Sequence, residues 1–375
     1  MTSEHFAGVR PANETELAEL LSVPGTAFEL MAGGTKRGIG RPVDAAVLDL
    51  SALSGVIDYQ PGELVLTARP ATPLRQIEAM LQEHNQRLGF EPPMTALLGA
   101  AGEQTLGGVL MANSSGSRRV TAGSARDHFI GFRAVNGRGE AFVGGGRVVK
   151  NVTGFDLPKV LAGSWGTLAA LTEVTVRVVP AAESECTLLF AVEGPRAAVE
   201  LCSAALGSTF EVSSAAFVPA RGVALRLEGL AASVQTRVDG LLAGLARSPQ
   251  ELLDAAASRA LWRQVGAAAA LAACPVIWRL SVAPKQAARI LEAIEAEEFQ
   301  LDWGGGLIWV GAPRVEAARV RGALQGGHAT LVRAPLAARR SNAVFEPQAP
   351  AIAALAARFK AAFDPHERLN PGRMN

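Results

Sequence analysis

The run from Leu30 to Gly40, L-M-A-G-G-T-K-R-G-I-G, constrains this chain more than any other stretch, because an apolar approach breaks into Gly33-Gly34-Thr35-Lys36. Glycine admits positive φ and lets consecutive backbone N–H groups approach a ligand closely, so a loop of this kind suits phosphate oxygens. A second cluster, T-L-G-G from Thr105 to Gly108, follows further along. A lone G-G-T loop is more often an ordinary tight turn. Two glycine loops in one fold point to a cradle for a diphosphate.

At 375 residues and 49% hydrophobic content, the chain can bury a core in each of two domains. Lys and Arg together number 36 against 35 for Asp and Glu, a formal charge of +1 that favours neither nucleic acid nor an anionic membrane as partner. Cys186, Cys202 and Cys274 stand far apart without a C-x-x-C, so iron–sulfur ligation and a disulfide framework are both excluded and buried, reduced thiols are expected. The opening M-T-S-E-H-F-A-G-V-R-P has no basic stretch leading into an apolar one, and the apolar run from Gly266 to Trp278 is too short to span a bilayer. The expectation is a cytoplasmic protein without direct membrane insertion, any attachment to the inner membrane being peripheral and made through partners.

Thr15 to Leu21 has Leu17, Leu20 and Leu21 at helical spacing behind a capping Asn13, and Pro73 to Gln86 places Leu74, Ile77, Met80 and Leu81 on one helical face. Strands are expected before the first glycine loop and at Ala45 to Leu50, V-I-D-Y and E-L-V-L-T-A-R-P; N-G-R-G predicts a hairpin at Asn136 to Gly139. The run L-T-E-V-T-V-R-V-V-P ends at Pro180-Ala181-Ala182, taken as the domain boundary. Beyond it, short strands alternate with Ala-rich helices over Pro195 to Leu206, Ala232 to Ala246, Pro284 to Glu297, Pro313 to Leu324 and Pro350 to Phe363. This alternation implies an α+β domain able to cover one side of a bound cofactor.

No G-x-G-x-x-G stands between a strand and a helix, which removes the main support for a nicotinamide dinucleotide. A phosphate loop of the Walker type fails because Ile39 and Gly40 occupy the places of its Lys and Ser/Thr. The segments A-G-G-T-K-R-G-I-G, T-L-G-G-V-L-M-A-N-S-S-G-S-R-R-V-T-A-G-S-A-R-D and L-A-G-S-W-G-T-L-A-A-L-T-E-V-T-V resemble the FAD-binding domain of the vanillyl-alcohol oxidase, or PCMH-type, family. The terminal F-K-A-A-F-D-P-H-E-R-L-N-P-G-R-M resembles that of its glycolate and D-lactate oxidase branch, and the length is most similar to the FAD-binding subunits of bacterial glycolate oxidase.

The resemblance implies an α+β fold with a PCMH-type FAD-binding domain over residues 1–180 and a smaller α+β, ferredoxin-like cap domain over 181–375. It implies that Gly33, Gly34, Thr35 and Lys36 wrap the pyrophosphate, chiefly through backbone N–H groups. Gly107 and Gly108 would approach the ribityl and diphosphate region with Ser114 and Gly116 close by, and Gly166 and Leu171 would line the flavin or adenine side. Lys150 and Asn151 match a family segment near the flavin, with a strand-end turn held by Asn as an equal alternative, and Asp127 would brace its own loop. Lys36 stands where the family commonly has Ser, and Ala169 where it commonly has Gly. Covalent members attach flavin through His or Cys; here only His84 and His128 lie near the loops, so noncovalent FAD is expected.

Arg118 and Arg119 are expected as an ordinary exposed pair, with an anionic substrate or a partner subunit as the alternative; Trp262, Trp278, Trp303 and Trp309 are expected in a core or an interface. Catalytic members of the branch carry an H-x-G-D-G-N-x-H-like segment that binds metal and holds the 2-hydroxy acid. The histidines here, His5, His84, His128, His328 and His366, are all isolated. No catalytic residue and no metal ligand is assigned. The resemblance thus implies an FAD-binding subunit of a glycolate oxidase complex, partnered by a catalytic flavoprotein subunit that makes glyoxylate and by an iron–sulfur subunit. A stand-alone flavin-dependent 2-hydroxy acid dehydrogenase and a scaffold with a vestigial flavin site are the alternatives.

Overall fold

The computed structural model describes residues 9–93, 102–146 and 155–374; Lys150 and Asn151 lie outside the described residues. Helix α1 (Glu14–Ser22) begins where Asn13 Oδ1 accepts the Glu16 N–H at 3.0 Å, a cap that stabilises a helix by about 1 kcal/mol. Its Leu17 and Leu21 pack under the parallel pair β1 (Phe28–Met31) and β2 (Ala46–Asp49). Strands β3 (Val56–Gln60), β4 (Val65–Ala68), β5 (Phe129–Asn136), β6 (Ala141–Gly145) and β7 (Ala169–Arg177) form a five-stranded antiparallel sheet in the order β3-β4-β7-β5-β6. Asn136 N–H donates to Glu140 O in the expected hairpin.

Helix α2 (Leu74–Glu83) buries Leu74, Ile77 and Leu81 against this sheet, together with α3 (Leu106–Met111), which opens from the second glycine cluster with Thr105 as its N-cap. Each fully buried leucine or isoleucine contributes roughly 1.5–3 kcal/mol. The short helix α4 (Arg119–Ala122) carries the chain to the seam with the second sheet.

That sheet has eight strands: β8 (Ser184–Phe190), β9 (Val212–Val218), β10 (Gly222–Gly229), β11 (Glu251–Leu253), β12 (Val276–Ser281), β13 (Glu298–Asp302), β14 (Leu307–Ala312) and β15 (His328–Arg333). Their spatial order is β11-β8-β10-β9-β13-β14-β12-β15. Helices α5 (Gly194–Leu206) and α6 (Ala231–Leu245) serve the first four strands, and α7 (Ala287–Ala293) and α8 (Ala317–Gly322) the last four. Each half is therefore a β-α-β-β-α-β unit of ferredoxin-like connectivity, and the two join edge to edge at β9 and β13. All four helices pack on one face, over Trp278, Leu280, Ile308 and their neighbours. Strand alternation sends Ile277, Arg279 and Trp309 to the other face, which is turned toward the first sheet.

Helix α9 (Leu336–Ser341) touches the first glycine loop, and α10 (Pro350–Phe363) leaves Ile352, Leu355 and Phe359 exposed. After α10 the chain returns to the first unit, where Leu369 bridges Phe28 in parallel beside β1. All three cysteines are free, but only Cys202 is buried; Cys186 and Cys274 are half-buried, because they lie at the margins of the second sheet's packing. Among the described residues no helix is long and apolar enough to cross a membrane.

Candidate functional site

Strand β1 delivers the chain into the first glycine loop, whose carbonyls are held from behind. Arg373 Nη2 donates to Lys36 O at 2.8 Å and Ile39 O at 3.0 Å, and Arg339 Nη1 donates to Gly38 O at 2.7 Å. Within the loop, Arg37 N–H returns to Gly34 O and Ile39 N–H to Lys36 O. Among the described residues, the amides of Gly33, Gly34, Thr35 and Lys36 donate to no protein acceptor. A series of free N–H groups with their carbonyls tied away is the geometry of an anion nest.

Glycine is needed at these positions for two different reasons. Gly34 takes φ +67°, where a side chain would be strained although an added Cβ would make only ordinary contacts, the nearest with Met31 Sδ at 3.6 Å. Gly33 has the opposite problem, since an added Cβ would fall 1.8 Å from Glu103 O, and one on Gly102 would fall 2.1 Å from Gly33 O. The approach to the second glycine cluster therefore interlocks with the first loop.

Between the two loops runs a cleft of about 820 Å³, counting space open to solvent. Gly33, Gly34, Thr35, Lys36, Gly107, Gly108, Gly166 and Leu171 all line it. Ser114 and Gly116 do not. The Ser114 N–H is engaged by Val109 O, and Gly116 packs so tightly on Glu91 that a Cβ would meet its carbonyl oxygen at 2.4 Å. Gly107 lines the cleft with its amide already donating to Pro70 O at 2.8 Å, so it offers close approach rather than a free donor.

Lys36 is the electrostatic centre of the cleft. Its ammonium nitrogen is buried with no hydrogen-bond partner among the described residues, and burial pushes its pKa down to about 8. The carboxylate of Glu29 is taken by Arg37, at 2.9 Å from Nε, and lies 3.6 Å from Arg373. A buried ammonium without a partner is costly. An anion in the cleft would supply what the protein withholds, and free amides beside this cation fit the diphosphate of a dinucleotide.

The cleft is also lined by residues that the sequence reading left unassigned: Pro70, Met111, Trp165, Asn370 and Arg373. Asn370 Oδ1 accepts the Leu30 N–H and its Nδ2 donates to Trp165 O, both at 2.8 Å, so one side chain ties the returning C-terminal segment to two walls. The L-N-P-G-R run was the available signal, legible as a terminal motif but not as a contributor to a cleft formed hundreds of residues earlier. His128 has Nε2 2.8 Å from Ala122 O and is buried against Phe90, and Asp127 accepts from Ser124 N–H and Oγ–H. Among the described residues no three His, Cys, Asp or Glu side chains gather to hold a metal.

The expectation of an exposed Arg118–Arg119 pair is overturned. Arg118 is half-buried between Glu91 and Glu228, its side chain 11% exposed, with hydrogen bonds of 2.7 and 2.8 Å to the latter, and Arg119 lies over the Trp303 ring. The cause is the second sheet, whose acidic and aromatic side chains meet α4 and cannot be anticipated from local sequence. Trp303 itself donates its indole N–H to Gly116 O at 3.0 Å, as an interface residue.

The FAD binding domain family matches residues 7–145. The chain is 31% identical to glycolate oxidase subunit GlcE of Escherichia coli, with 93% of each chain covered. It is 29% identical to glycolate oxidase subunit GlcD of Bacillus subtilis over 52% of this chain and 42% of that one. An alkyldihydroxyacetonephosphate synthase structure superposes with a TM-score of 0.67 at 13% identity, covering 96% of this chain and 76% of that chain, a likeness of fold. With a cleft suited to a dinucleotide and a resemblance that runs almost from end to end, the chain belongs to the family of glycolate oxidase subunit GlcE.

Proposed function

We propose that this chain is the FAD-binding subunit of a glycolate oxidase complex, holding FAD noncovalently beside a catalytic flavoprotein subunit and an iron–sulfur subunit. The observation that carries the reading is the buried Lys36 ammonium beside the amides of Gly33 to Lys36, all without a partner among the described residues. Residues 1–180 together with the returning segment after Phe363 would form the flavin-binding unit, and the eight-stranded sheet its cover. Gly33 to Lys36 would receive the diphosphate, Lys36 would neutralise part of its charge, and the apolar wall at Met111, Ala170 and Leu171 would exclude water from the rings. When bound, FAD supplies a two-electron acceptor. The engagement of His128 with Ala122 O supports noncovalent attachment. The exposed Ile352, Leu355 and Phe359 on α10 support the subunit role, since a contiguous apolar stripe marks an interaction surface.

The test is the anaerobic visible spectrum of the purified chain before and after glycolate, followed by acid precipitation. A flavin band that glycolate leaves unbleached and that acid releases into solution is the expected result. Bleaching would place turnover in this chain alone. Absence of any band would favour a scaffold.

A further inference from the structure

Helix α10 (Pro350–Phe363) is apolar apart from Arg358 and Lys360, yet none of its 14 residues is buried. A helix that is apolar on every side belongs inside a protein. Among the described residues, its polar contacts with the body of the chain all fall in the last turn. Lys360 Nζ donates to Thr167 O at 2.8 Å, Arg138 Nη1 donates to Ala362 O at 2.7 Å, and Gly137 N–H donates to Phe363 O at 2.9 Å. The Phe363 ring packs 5.6 Å from that of Phe142, centroid to centroid. The earlier turns stand free. Ile352, Leu355 and Phe359, at i, i+3 and i+7, are 54%, 47% and 37% exposed. That spacing sets three large apolar side chains in one row over two turns, the pattern by which a helix anchors in a groove.

The size of the helix narrows what can cover it. With a length of about 21 Å and a diameter of roughly 10 Å, one half of its surface amounts to about 330 Å². Two copies of the chain packed face to face through α10 would therefore bury about 660 Å² in all, well below the roughly 1,200 Å² at which stable interfaces begin. A groove covers more of the same helix, because its walls enclose the flanks as well as the face. The charge pattern narrows the choice again. The helix contains no Asp or Glu, and the nearest acids along the chain, Glu346 and Asp364, are engaged by Arg321 and Lys360. Arg358, next to Phe359, is exposed and without an ion pair among the described residues. A bare cation beside an apolar row is complemented by a carboxylate at a groove's rim. It is too little charge for an anionic lipid surface, which is held by clusters of basic residues.

We infer that α10 docks into another protein subunit, seating Ile352, Leu355 and Phe359 in an apolar groove whose rim presents carboxylates to Arg358. The inference rests on the subunit role proposed above and adds the element, the mode and the charge of the contact. Because the last turn is fixed beside the segment that returns to the glycine cleft, the docked subunit lies against the flavin-binding unit.

The experiment is co-purification of the full chain with the coexpressed catalytic flavoprotein and iron–sulfur subunits of the same organism, with light scattering of the free chain and flotation on phosphatidylglycerol vesicles beside it. The expected result is that the wild-type chain is retained, that Leu355→Glu and Phe359→Glu each lower retention at least tenfold with an unchanged circular dichroism spectrum, and that Leu355→Met is retained like the wild type. Arg358→Glu should weaken retention several-fold, by a factor that shrinks at high salt, and it reports even where an apolar-to-acid variant fails to fold. The free chain should be monomeric and should not float. Retention that survives Leu355→Glu in folded protein, a dimer of the free chain that Leu355→Glu dissolves, or vesicle binding that it abolishes would overturn the inference and leave the subunit role standing. A wild-type chain that joins neither subunit would overturn both.

Discussion

A single ammonium group separates a glycine turn from an anion site in this molecule. Lys36 has a pKa near 8 in the folded chain against 10.5 when free, so between those values the unfolded chain binds more protons than the folded one. Stability of the ligand-free protein therefore rises with pH from about 8 to about 10.5, by an amount on the order of 3 kcal/mol at about 1.4 kcal/mol per unit. Lys36→Met should flatten that rise in urea unfolding curves measured from pH 7 to pH 10.5. Ligand binding carries the opposite sign. A bound diphosphate raises the lysine pKa, so the lysine's contribution to affinity is complete below pH 8 and is lost as the pH climbs above it. At pH 7 the same substitution removes a charge-assisted hydrogen bond of about 1.5–3 kcal/mol, and equilibrium dialysis should show FAD bound roughly 10- to 100-fold more weakly. A variant that retains wild-type affinity and pH dependence would remove Lys36 from the site.

At the scale of elements, the returning C-terminal segment closes the cleft by polar stitching rather than by a helix or a full strand. Asp364 accepts the N–H groups of Arg368 and Leu369 at 2.9 and 2.8 Å, Arg368 donates to Leu21 O and Thr26 O, and Asn370 spans β1 and Trp165. Asn370→Ala leaves a half-buried donor on Leu30 and a half-buried acceptor on Trp165 unmatched, at roughly 1 kcal/mol each. The expected outcome is a melting temperature several degrees lower and a clear loss of copurified flavin; unchanged flavin content would assign the segment to stability alone. The elements themselves were unevenly legible. Helices α1, α2, α5, α6 and α10 lie within two or three residues of their expected bounds. The expected helix from Pro284 to Glu297 is shorter, because Pro284–Gln286 is a 3-10 turn and Glu295 at φ +49° ends the helical path. Helix Ala255–Gly266, capped by Asp254, went unread in an alanine-rich background. The duplication of the ferredoxin-like unit left no fixed sequence period, since it is conserved in strand order and not in residues. Eight cleft residues were legible, the two glycine loops through glycine chemistry and their individual members, with Gly166 and Leu171, through the family resemblance; Asn370 and Arg373 were not, because their role depends on a chain reversal.

At the scale of the whole molecule, the two sheets are held together by buried charge. Arg226 on β10 reaches both Glu91 oxygens at 2.8 and 2.9 Å, while Glu228 receives Arg118 and, at 2.6 Å, Arg87 from the first unit. Burial opposes ionisation of Glu228, yet the Arg118 hydrogen bond and the charges of Arg226, Arg118 and Arg87 hold its carboxyl far below the ordinary range; Glu91 is lowered in the same manner. A depressed folded pKa contributes stability that is complete above about pH 4.5 and is lost as the pH falls below it. Asp302 acts in the other direction. With its pKa raised to about 6, the folded state holds a proton that the unfolded chain releases, so its burial costs progressively more between pH 4 and 6. The charge cluster joins residues far apart in the chain, so its loss should uncouple the sheets before it melts either one. Arg226→Ala strands Glu91 and Glu228 with fewer cations than carboxylates need, a loss of about 3–5 kcal/mol for a broken buried pair. In urea at pH 7 the wild type should unfold in one transition and the variant in two, the first removing the cover from the flavin cleft and releasing FAD. The variant's stability should also fall less steeply than the wild type's between pH 4.5 and pH 3, because Glu91 and Glu228 then lose less on protonation. A single transition with an unchanged acid limb would mean that the sheets are joined by their apolar contacts instead.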